Sequence, residues 1–301
     1  MTELRDELSS PPATTFEHLQ PLLAASAVRN VLRTNAVVSA STGLLAALAG
    51  GPLAGLLDVP SVAVRGIGMG LVAFSAGLVA AAGVRHRRLP GLTRAIAAAD
   101  VTWVVASAGL IAAGVFSLAG SVVVGAAGLV VGAFALLEVR GARRVLEAGP
   151  GPEVSPPLEA IRVAAEADVA PARAWEIITD HDLYGRLAPS LSSVEVTSGD
   201  GPGLTRRCVN TKGQAWSETC TLWDEGRAYA VDVDTSAYPY PLAVMRGRWS
   251  VEPAGAGRTR FGMDFVFQPR PTIVGRGFAW AMQLAFPRIL RRILRGWVTH
   301  R

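Results

Sequence analysis

The stretch formed by residues 95–137 restricts the fold of this chain more than any other feature. It consists almost entirely of Ala, Val, Leu, Ile and Gly, and Asp100 is its only charged residue. One helix of this length would measure roughly 64 Å at 1.5 Å per residue, whereas the hydrocarbon core of a bilayer is about 30 Å thick. Because a soluble helix needs a polar face, the stretch predicts two membrane-spanning helices that turn near residues 117–121.

Two further apolar stretches bring the number of predicted spans to four. Each span is close to the twenty or so residues that a bilayer requires. Small residues are dense in them, and the pairs Gly66/Gly70 and Gly128/Gly132 have the small-xxx-small spacing that lets helices approach closely in lipid. We therefore expect a compact four-helix transmembrane domain over residues 29–147, with spans at residues 31–53, 62–84, 95–116 and 120–137.

Arginine accumulates on one side of the predicted bundle. The positive-inside rule places that side in the cytoplasm, and an even number of spans keeps both termini there. No secretory signal peptide is expected, so the prediction is a multi-pass protein of the cell (inner) membrane. The residues that carry this bias are Arg29 and Arg33 before or at the start of the first span, Arg85, Arg87, Arg88 and Arg94 between the second and third, and Arg140, Arg143 and Arg144 after the fourth.

Composition changes at the end of this bundle. Trp103 is the only one of the seven tryptophans before Arg140, and charged residues are concentrated after it. The chain thus divides into a polar tail (residues 1–28), the bundle (29–147), a Pro/Gly linker (148–157) and a soluble α+β domain (158–301). The net charge of +5 comes almost wholly from arginine. No nucleic-acid motif accompanies it, so we expect a lipid bilayer rather than nucleic acid as partner.

The soluble half alternates in a way that predicts six hairpin-connected strands after an initial strand and two short helices. The initial strand covers residues 158–169, Pro171 opens the first helix, and a second helix covers residues 181–187. A long helix over residues 273–299 closes the chain, with one apolar side and one basic side. The six strands are predicted at residues 191–197, 204–210, 215–223, 228–234, 243–252 and 259–268.

This order of elements, together with particular residues, resembles the START-like, helix-grip superfamily of polyketide cyclase/dehydrase and lipid-transport type. The resemblance rests on the segment APARAWEIITDHDLYGRLAPSLSSVEVTSGDGPG, the RGRWSVEPAGAGRTR hairpin and the terminal RILRRILRGW helix. It covers residues 158–301 and implies an antiparallel sheet wrapped around the long C-terminal helix. Members of this superfamily bind lipids, quinones, hormones or polyketides in a cavity between sheet and helix.

A cavity of this kind would be lined by side chains that point inward from the strands and from the long helix. Glu218 is the most informative of them, because an inward carboxylate would orient a ligand hydroxyl or serve as an acid/base. The alternative is a solvent-facing carboxylate, or one paired with Arg246 or Arg248. The candidate ligand-binding residues are Trp216, Glu218, Tyr229, Val231, Trp249, Phe261, Met263, Phe265, Ala281 and Met282. The alternative for each of these residues is that it packs only as core.

A second candidate site lies in the bundle, where four polar residues are expected at similar depth near the cytoplasmic side. An intramembrane carboxylate tends to face the bundle and to find a partner. We predict that Asp100 pairs with Arg33, either to bind a lipid head group or proton or only to fix packing. The members of this predicted membrane polar cluster are Arg33, Asn35, Asp100 and Glu138.

The sequence contains no catalytic set that would name a reaction. It has no nucleophile elbow, no phosphate-cradling loop and no metal-type spacing of His or Cys, so no catalytic residue, metal or cofactor is predicted. Cys208 and Cys220 are interpreted as small buried hydrophobes, with a disulfide left open. The favoured function is membrane-anchored binding or transfer of a hydrophobic lipid, quinone, isoprenoid or polyketide. The alternatives are a cyclase/dehydrase acting on a membrane-partitioned substrate and a non-catalytic interaction module.

Overall fold

Long apolar helices make up the first half of the chain in the computed structural model, which describes residues 16–300. The described residues form two compact units, one comprising Ala24–Glu153 and the other the residues up to Leu23 together with those from Val154 onward. The helices are α1 (Leu19–Leu48), α2 (Gly50–Leu57), α3 (Ser61–Ala82), a 3-10 turn (His86–Arg88), α4 (Leu89–Ala112) and α5 (Leu118–Ala148).

Four of these helical segments are long and apolar enough to cross a membrane: Leu19–Leu48, Ser61–Ala82, His86–Ala112 and Leu118–Ala148. Large apolar side chains cover their outer surfaces, and Leu118, for example, is 86% exposed. A soluble protein rarely exposes apolar surface of this extent. The four predicted spans therefore correspond to four observed helices that fit a membrane module.

Helix α1 begins at Leu19, inside the segment that was predicted as a polar tail. The tail was predicted over residues 1–28, but the chain is helical from Leu19 onward; residues 1–15 lie outside the described part. Phe16, Leu19 and Leu22 are buried in an apolar cluster with residues of the sheet, including Ala160 and Val266. Burial of these side chains explains why a segment of mixed composition is helical.

The glycine pairs chosen from the sequence do not mediate close helix packing. A Cβ added at Gly66, Gly70, Gly128 or Gly132 would meet nothing within 4 Å. The close approach between α1 and α3 uses Gly43 instead, where a Cβ would lie 2.7 Å from the carbonyl oxygen of Gly68. Small-xxx-small spacing is frequent in Gly/Ala-rich spans, so it does not identify the face that meets a neighbour.

The second half folds as a seven-stranded antiparallel sheet with the order β1-β7-β6-β5-β4-β3-β2. Strands β2 to β7 form a meander in chain order, and β1 pairs with β7. The elements are β1 (Glu159–Ala167), α6 (Pro171–Thr179), α7 (His181–Leu187), β2 (Leu191–Ser198), β3 (Thr205–Asn210), β4 (Ala215–Asp224), β5 (Ala228–Val233), β6 (Leu242–Pro253), β7 (Thr259–Pro269) and α8 (Ile273–Thr299). The predicted helix-grip fold is confirmed.

Local signals at the helix ends account for how sheet and helices are joined. Pro171 occupies the first turn of α6, where its missing N–H has no intrahelical partner to lose. The Asp180 carboxylate accepts a hydrogen bond of 2.8 Å from the backbone N–H of Leu183 and so caps α7. The Thr272 hydroxyl caps α8 in the same way, accepting from the N–H of Gly275 at 3.0 Å. These caps set the residues at which α7, after α6, and α8, after β7, begin.

The core of this unit lies between the concave face of the sheet and helices α6, α7 and α8. Alternate residues of β7, Phe261, Met263, Phe265 and Phe267, all belong to it, as the alternation predicts. Asp264 faces the other way and forms an ion pair of 2.6 Å with Arg162 of β1. Both Cys208 and Cys220 are buried with free thiols, which agrees with their interpretation as small core residues.

Candidate functional site

A cavity of about 290 Å³ lies between the sheet and α8. Aromatic and aliphatic side chains make up most of its wall, and Glu218 is the single charged residue that lines it within the described part of the chain. Strand β4 contributes Glu218, while α8 contributes the opposite wall. The cavity therefore has the composition of a site for a largely apolar molecule with a polar group at one place.

Most of the predicted lining residues face this cavity, and three do not. Tyr229, Phe261 and Met263 are fully buried in the core, and the Tyr229 hydroxyl is engaged, donating a hydrogen bond of 3.0 Å to the carbonyl oxygen of Ile178. Strand alternation predicts the correct face for all three, but it does not say how far along the strand the cavity extends. The predicted residues that line the cavity are Trp216, Glu218, Val231, Trp249, Phe265, Ala281 and Met282.

A row of aromatic rings at the cavity was missed from the sequence. Tyr238 lies in the loop between β5 and β6 and makes an edge contact with Trp216, at 5.1 Å between ring centroids. Tyr240 follows it, at 5.1 Å from Tyr238, and stacks at 5.4 Å on Phe278 of α8. The loop sequence YPY, with two tyrosines around a proline, was the available signal. Tyr184, Met245, Phe286 and Ile289 also line the cavity and were not predicted.

The Tyr238 phenol is held in its neutral form. Burial, followed by the nearby Glu218 charge, raises the pKa of Tyr238 well above its usual value. A neutral phenol keeps its proton and can donate a hydrogen bond. Tyr238 is therefore the cavity's candidate donor for an oxygen atom of a ligand.

Glu218 is fully engaged by hydrogen bonds from its own sheet. Its Oε2 accepts from Nε and Nη2 of Arg206, at 2.8 and 2.6 Å, and its Oε1 accepts from the Trp216 indole N–H at 2.9 Å. Arg206 stands directly opposite Glu218 in the register of β3 and β4. Of the alternatives considered for Glu218, an ion pair is observed, but its partner is Arg206 on β3 rather than Arg246 or Arg248.

The Arg206 side chain is itself buried, at 1% exposure. Its guanidinium carbon lies 5.4 Å from the ring centroid of Tyr184 and 5.0 Å from that of Trp249. Burial alone would lower the pKa of Arg206, but the Glu218 charge, together with smaller contributions from Tyr229, Cys208 and Tyr184, makes the net direction upward. A buried guanidinium is tolerated when it is paired and surrounded by aromatic faces. Arg206 thus neutralises Glu218, the charged residue of the cavity wall, from within the domain core.

His181 completes this network from α7. The Arg206 Nη1 donates to His181 Nδ1 at 2.9 Å, because a guanidinium carries only donors. Burial and the Arg206 charge lower the pKa of His181 to about 4. The imidazole is therefore neutral at physiological pH, with its proton on Nε2.

This lowered pKa predicts a specific loss of stability in mild acid. Below about pH 6.5 the His181 imidazole of the unfolded chain binds a proton, whereas that of the folded domain stays neutral until the pH approaches 4. The free energy of unfolding therefore falls as the pH falls from about 6.5 toward 4. We expect His181 to account for a loss of about 2 kcal/mol between pH 7 and pH 5. Denaturant unfolding of the full chain, followed by tryptophan fluorescence, measures the loss. His181→Gln should remove this part of the pH dependence, whereas His300→Gln, at an exposed site, should retain it; equal pH profiles for both variants would contradict the assignment.

In the bundle, three of the four predicted polar residues meet. The Asn35 side-chain amide donates to Asp100 Oδ2 and to Glu138 Oε1, both at 3.0 Å. Ser39, which was not predicted, donates to the Asn35 carbonyl oxygen at 3.1 Å. Asn35 thus occupies the position beside Asp100 for which Arg33 was proposed, and the pairing of Arg33 with Asp100 stays a prediction.

Comparisons with known proteins agree with this geometry. Residues 159–300 match the family model described as polyketide cyclase / dehydrase and lipid transport. The C-terminal domain is therefore a START-like domain of this type, and four long apolar helices precede it. No curated protein matches the chain at a significant level.

Solved structures resemble a little less than half of the chain. The Zhui aromatase/cyclase from Streptomyces sp. R1128 is 18% identical, with 47% of this chain and 92% of that chain covered and a TM-score of 0.41. The protein TTHA0849 from Thermus thermophilus is 19% identical, with 46% and 94% covered and a TM-score of 0.39. Norcoclaurine synthase from Thalictrum flavum, in complex with dopamine and hydroxybenzaldehyde, is 14% identical, with 48% and 89% covered and a TM-score of 0.39.

Proposed function

We propose that the C-terminal domain binds a hydrophobic small molecule and that the apolar helices anchor it to a membrane. The observation that carries this proposal is the cavity of about 290 Å³, lined by apolar and aromatic side chains with one buried polar network at its wall. A lipid, quinone, isoprenoid or polyketide matches such a lining. The Tyr238 phenol would donate a hydrogen bond to the oxygen function that these ligand classes share.

The state of Glu218 favours binding over acid–base catalysis. Both of its oxygens accept hydrogen bonds from Arg206 or Trp216 within the domain. A carboxylate that is held this way orders the wall rather than exchanging protons with a substrate. The cyclase/dehydrase alternative would instead require turnover that depends on Glu218, and the third alternative, an interaction module, would require a cavity that no ligand enters.

Anchoring would keep this cavity next to a source of apolar ligand. With the arginine-rich loops in the cytoplasm, the domain would stand on the cytoplasmic side of the cell membrane. Four arginines of α8 are exposed and would attract anionic lipid at about 1 kcal/mol each near the surface. These residues are Arg288, Arg291, Arg292 and Arg295.

Co-purification of ligand tests this proposal. Native mass spectrometry of the full chain, released from a mild detergent, should show an apolar molecule of defined mass that extraction recovers unchanged. Ala281→Trp should lower the bound fraction at least tenfold, because Ala281 lines the cavity from an exposed position and an indole there obstructs it. Leu284→Trp is the matched control, since Leu284 lies on the same helix, is 50% exposed and is not part of the lining.

The outcome separates the three functions. Loss of ligand in Ala281→Trp but not in Leu284→Trp supports binding in this cavity. A ligand recovered in a chemically altered form, with alteration abolished by Glu218→Gln, would establish the enzyme instead. Wild-type protein that carries no ligand and binds none from added lipid extract would contradict the proposal.

A further inference from the structure

A second and larger cavity lies within the helical unit. Its volume is about 500 Å³, and all four long helices contribute to its wall. Most of the wall is aliphatic, but Asn35, Asp100 and the hydroxyls of Ser39 and Thr42 lie at it as well. The cavity therefore combines an apolar interior with an acidic end.

At the acidic end, one side-chain amide donates hydrogen bonds to two carboxyl groups. The nitrogen of Asn35 has two hydrogens, and the carboxyl groups of Asp100 and Glu138 each accept from that nitrogen at 3.0 Å. Glu138 is completely buried, and its second oxygen, Oε2, is buried without a hydrogen-bond partner in the described part of the chain. An unsatisfied carboxylate oxygen in such a place is costly. Glu138 does not line the cavity, so it adds acidic character behind Asn35 without offering an oxygen that a ligand could reach.

The hydrogen-bond donors that the structure shows at this cluster are the neutral Asn35 amide and the Ser39 hydroxyl, and neither of these two groups carries a positive charge. Two acidic groups in an apolar environment are stable only when protons or a cation compensate them. A cation inside the cavity would provide this charge, and its N–H groups would donate to Asp100, which lines the cavity. An anionic molecule would be repelled, and a neutral alcohol would satisfy at most one acceptor.

The aromatic side chains of the cavity point to an organic rather than an inorganic cation. Phe74, Trp103 and Phe134, from three different helices, line the same space as Asp100. Aromatic faces attract ammonium groups that lie within about 6 Å, and the aliphatic wall suits a hydrocarbon or aryl portion. Within the described residues, no group of three or more His, Cys, Asp or Glu is placed to hold a metal ion.

We propose that the bundle cavity binds a hydrophobic organic ammonium ion, whose N–H groups donate to the carboxylate of Asp100. Asp100 is the direct counter-ion because it lines the cavity, and Glu138 supports the site from behind Asn35. This site is separate from the cavity of the C-terminal domain, in residues and in ligand charge. The helical unit would then be a binding module in its own right.

Equilibrium dialysis of the full chain in phosphatidylcholine nanodiscs tests the proposal. The probe is 4-phenylbutylamine, and its uncharged counterpart is 4-phenylbutanol. We expect saturable binding of one amine per chain above the partition into empty nanodiscs, and no saturable binding of the alcohol. Saturable binding of both compounds with equal affinity would overturn the proposal. Saturable binding of neither compound would also overturn it and would leave the cluster as a proton site only.

Two kinds of variant locate the site. Asp100→Asn removes the charge at nearly constant shape and should weaken amine binding at least tenfold, whereas Glu147→Gln, at an exposed position of the same helix as Glu138, should not. Gly70→Leu tests the cavity without touching the carboxyl groups: a Cβ at Gly70 meets nothing within 4 Å, and the residue lines the cavity. We expect Gly70→Leu to weaken amine binding at least tenfold as well.

Gly66→Leu is the matched control for Gly70→Leu. A Cβ at Gly66 also meets nothing within 4 Å, but Gly66 does not line the cavity, so amine binding should be unchanged. Ala281→Trp should likewise leave amine binding intact, which separates this result from the fate of the proposed function. If the amine binds Gly70→Leu as tightly as the wild type, the proposed location is wrong, whatever the folding state of Asp100→Asn.

Discussion

Arg206→Met is expected to destabilise the C-terminal domain by about 3–5 kcal/mol, the usual cost of leaving one partner of a buried ion pair uncompensated. The substitution removes both guanidinium hydrogen bonds to Glu218, at 2.6 and 2.8 Å, and the hydrogen bond to His181. Glu218 then remains beside an apolar cavity with only the Trp216 indole as donor. Denaturant unfolding of the full chain in detergent, followed by tryptophan fluorescence, measures the loss, because six of the seven tryptophans lie after Arg140.

The double variant Arg206→Met/Glu218→Met distinguishes charge from packing. Replacing both members of a buried pair by apolar residues of similar size is often close to neutral. We therefore expect the double variant to recover most of the stability that Arg206→Met loses. If it is as unstable as the single variant, packing of the long side chain accounts for the loss, rather than the buried charge.

Trp249→Ala is expected to lower the free energy of unfolding of the C-terminal domain by about 3–5 kcal/mol, the range typical of truncating a fully buried aromatic residue. The indole stacks on Tyr229, with 4.9 Å between centroids and 9° between planes, and meets Tyr184 and Phe265 edge-on. It also lies beneath the Arg206 guanidinium. Removal opens a void that joins the ligand cavity and takes an aromatic face away from a buried cation.

Trp249→Phe is the matched control, measured by the same unfolding experiment. The phenyl ring keeps most of the stacking area, and the lost indole N–H has no hydrogen-bond partner in the described part of the chain. We expect Trp249→Phe to cost less than about half of what Trp249→Ala does. Equal losses would show that the full width of the indole, rather than an aromatic face, is what the core requires.

The strands and the long helix of the C-terminal domain could be predicted closely because their signals are local. Gly-rich turns such as SGDGPG and PAGAGR separate the strands, and Phe261, Met263, Phe265 and Phe267 alternate without a break. Helix α8 was predicted with the bounds that the structure shows, Ile273–Thr299. Each of these features depends on residues a few positions apart, so the sequence contains the whole of the relevant interaction.

The cavity and the polar networks could be predicted only in part. Alternation identifies the inward face, yet Tyr229 and Phe261 fill the core while Tyr238, from a loop, reaches the cavity. Which residues meet depends on the register of β3 against β4, and that register places Arg206 opposite Glu218. A register of this kind is set by the packing of the whole sheet, because a shift by one residue exchanges its two faces.

The membrane half shows the same division between local and global information. Length and composition alone, without any contact, determine that residues 95–137 form two helices suited to a bilayer and that Asp100 needs a partner there. Only the tertiary structure decided that this partner is Asn35, shared with Glu138, and that Asn35 and Asp100 border a cavity. The physical reason is that hydrophobic burial in lipid depends on the run of residues within one helix, whereas a hydrogen bond depends on how one helix is rotated against another.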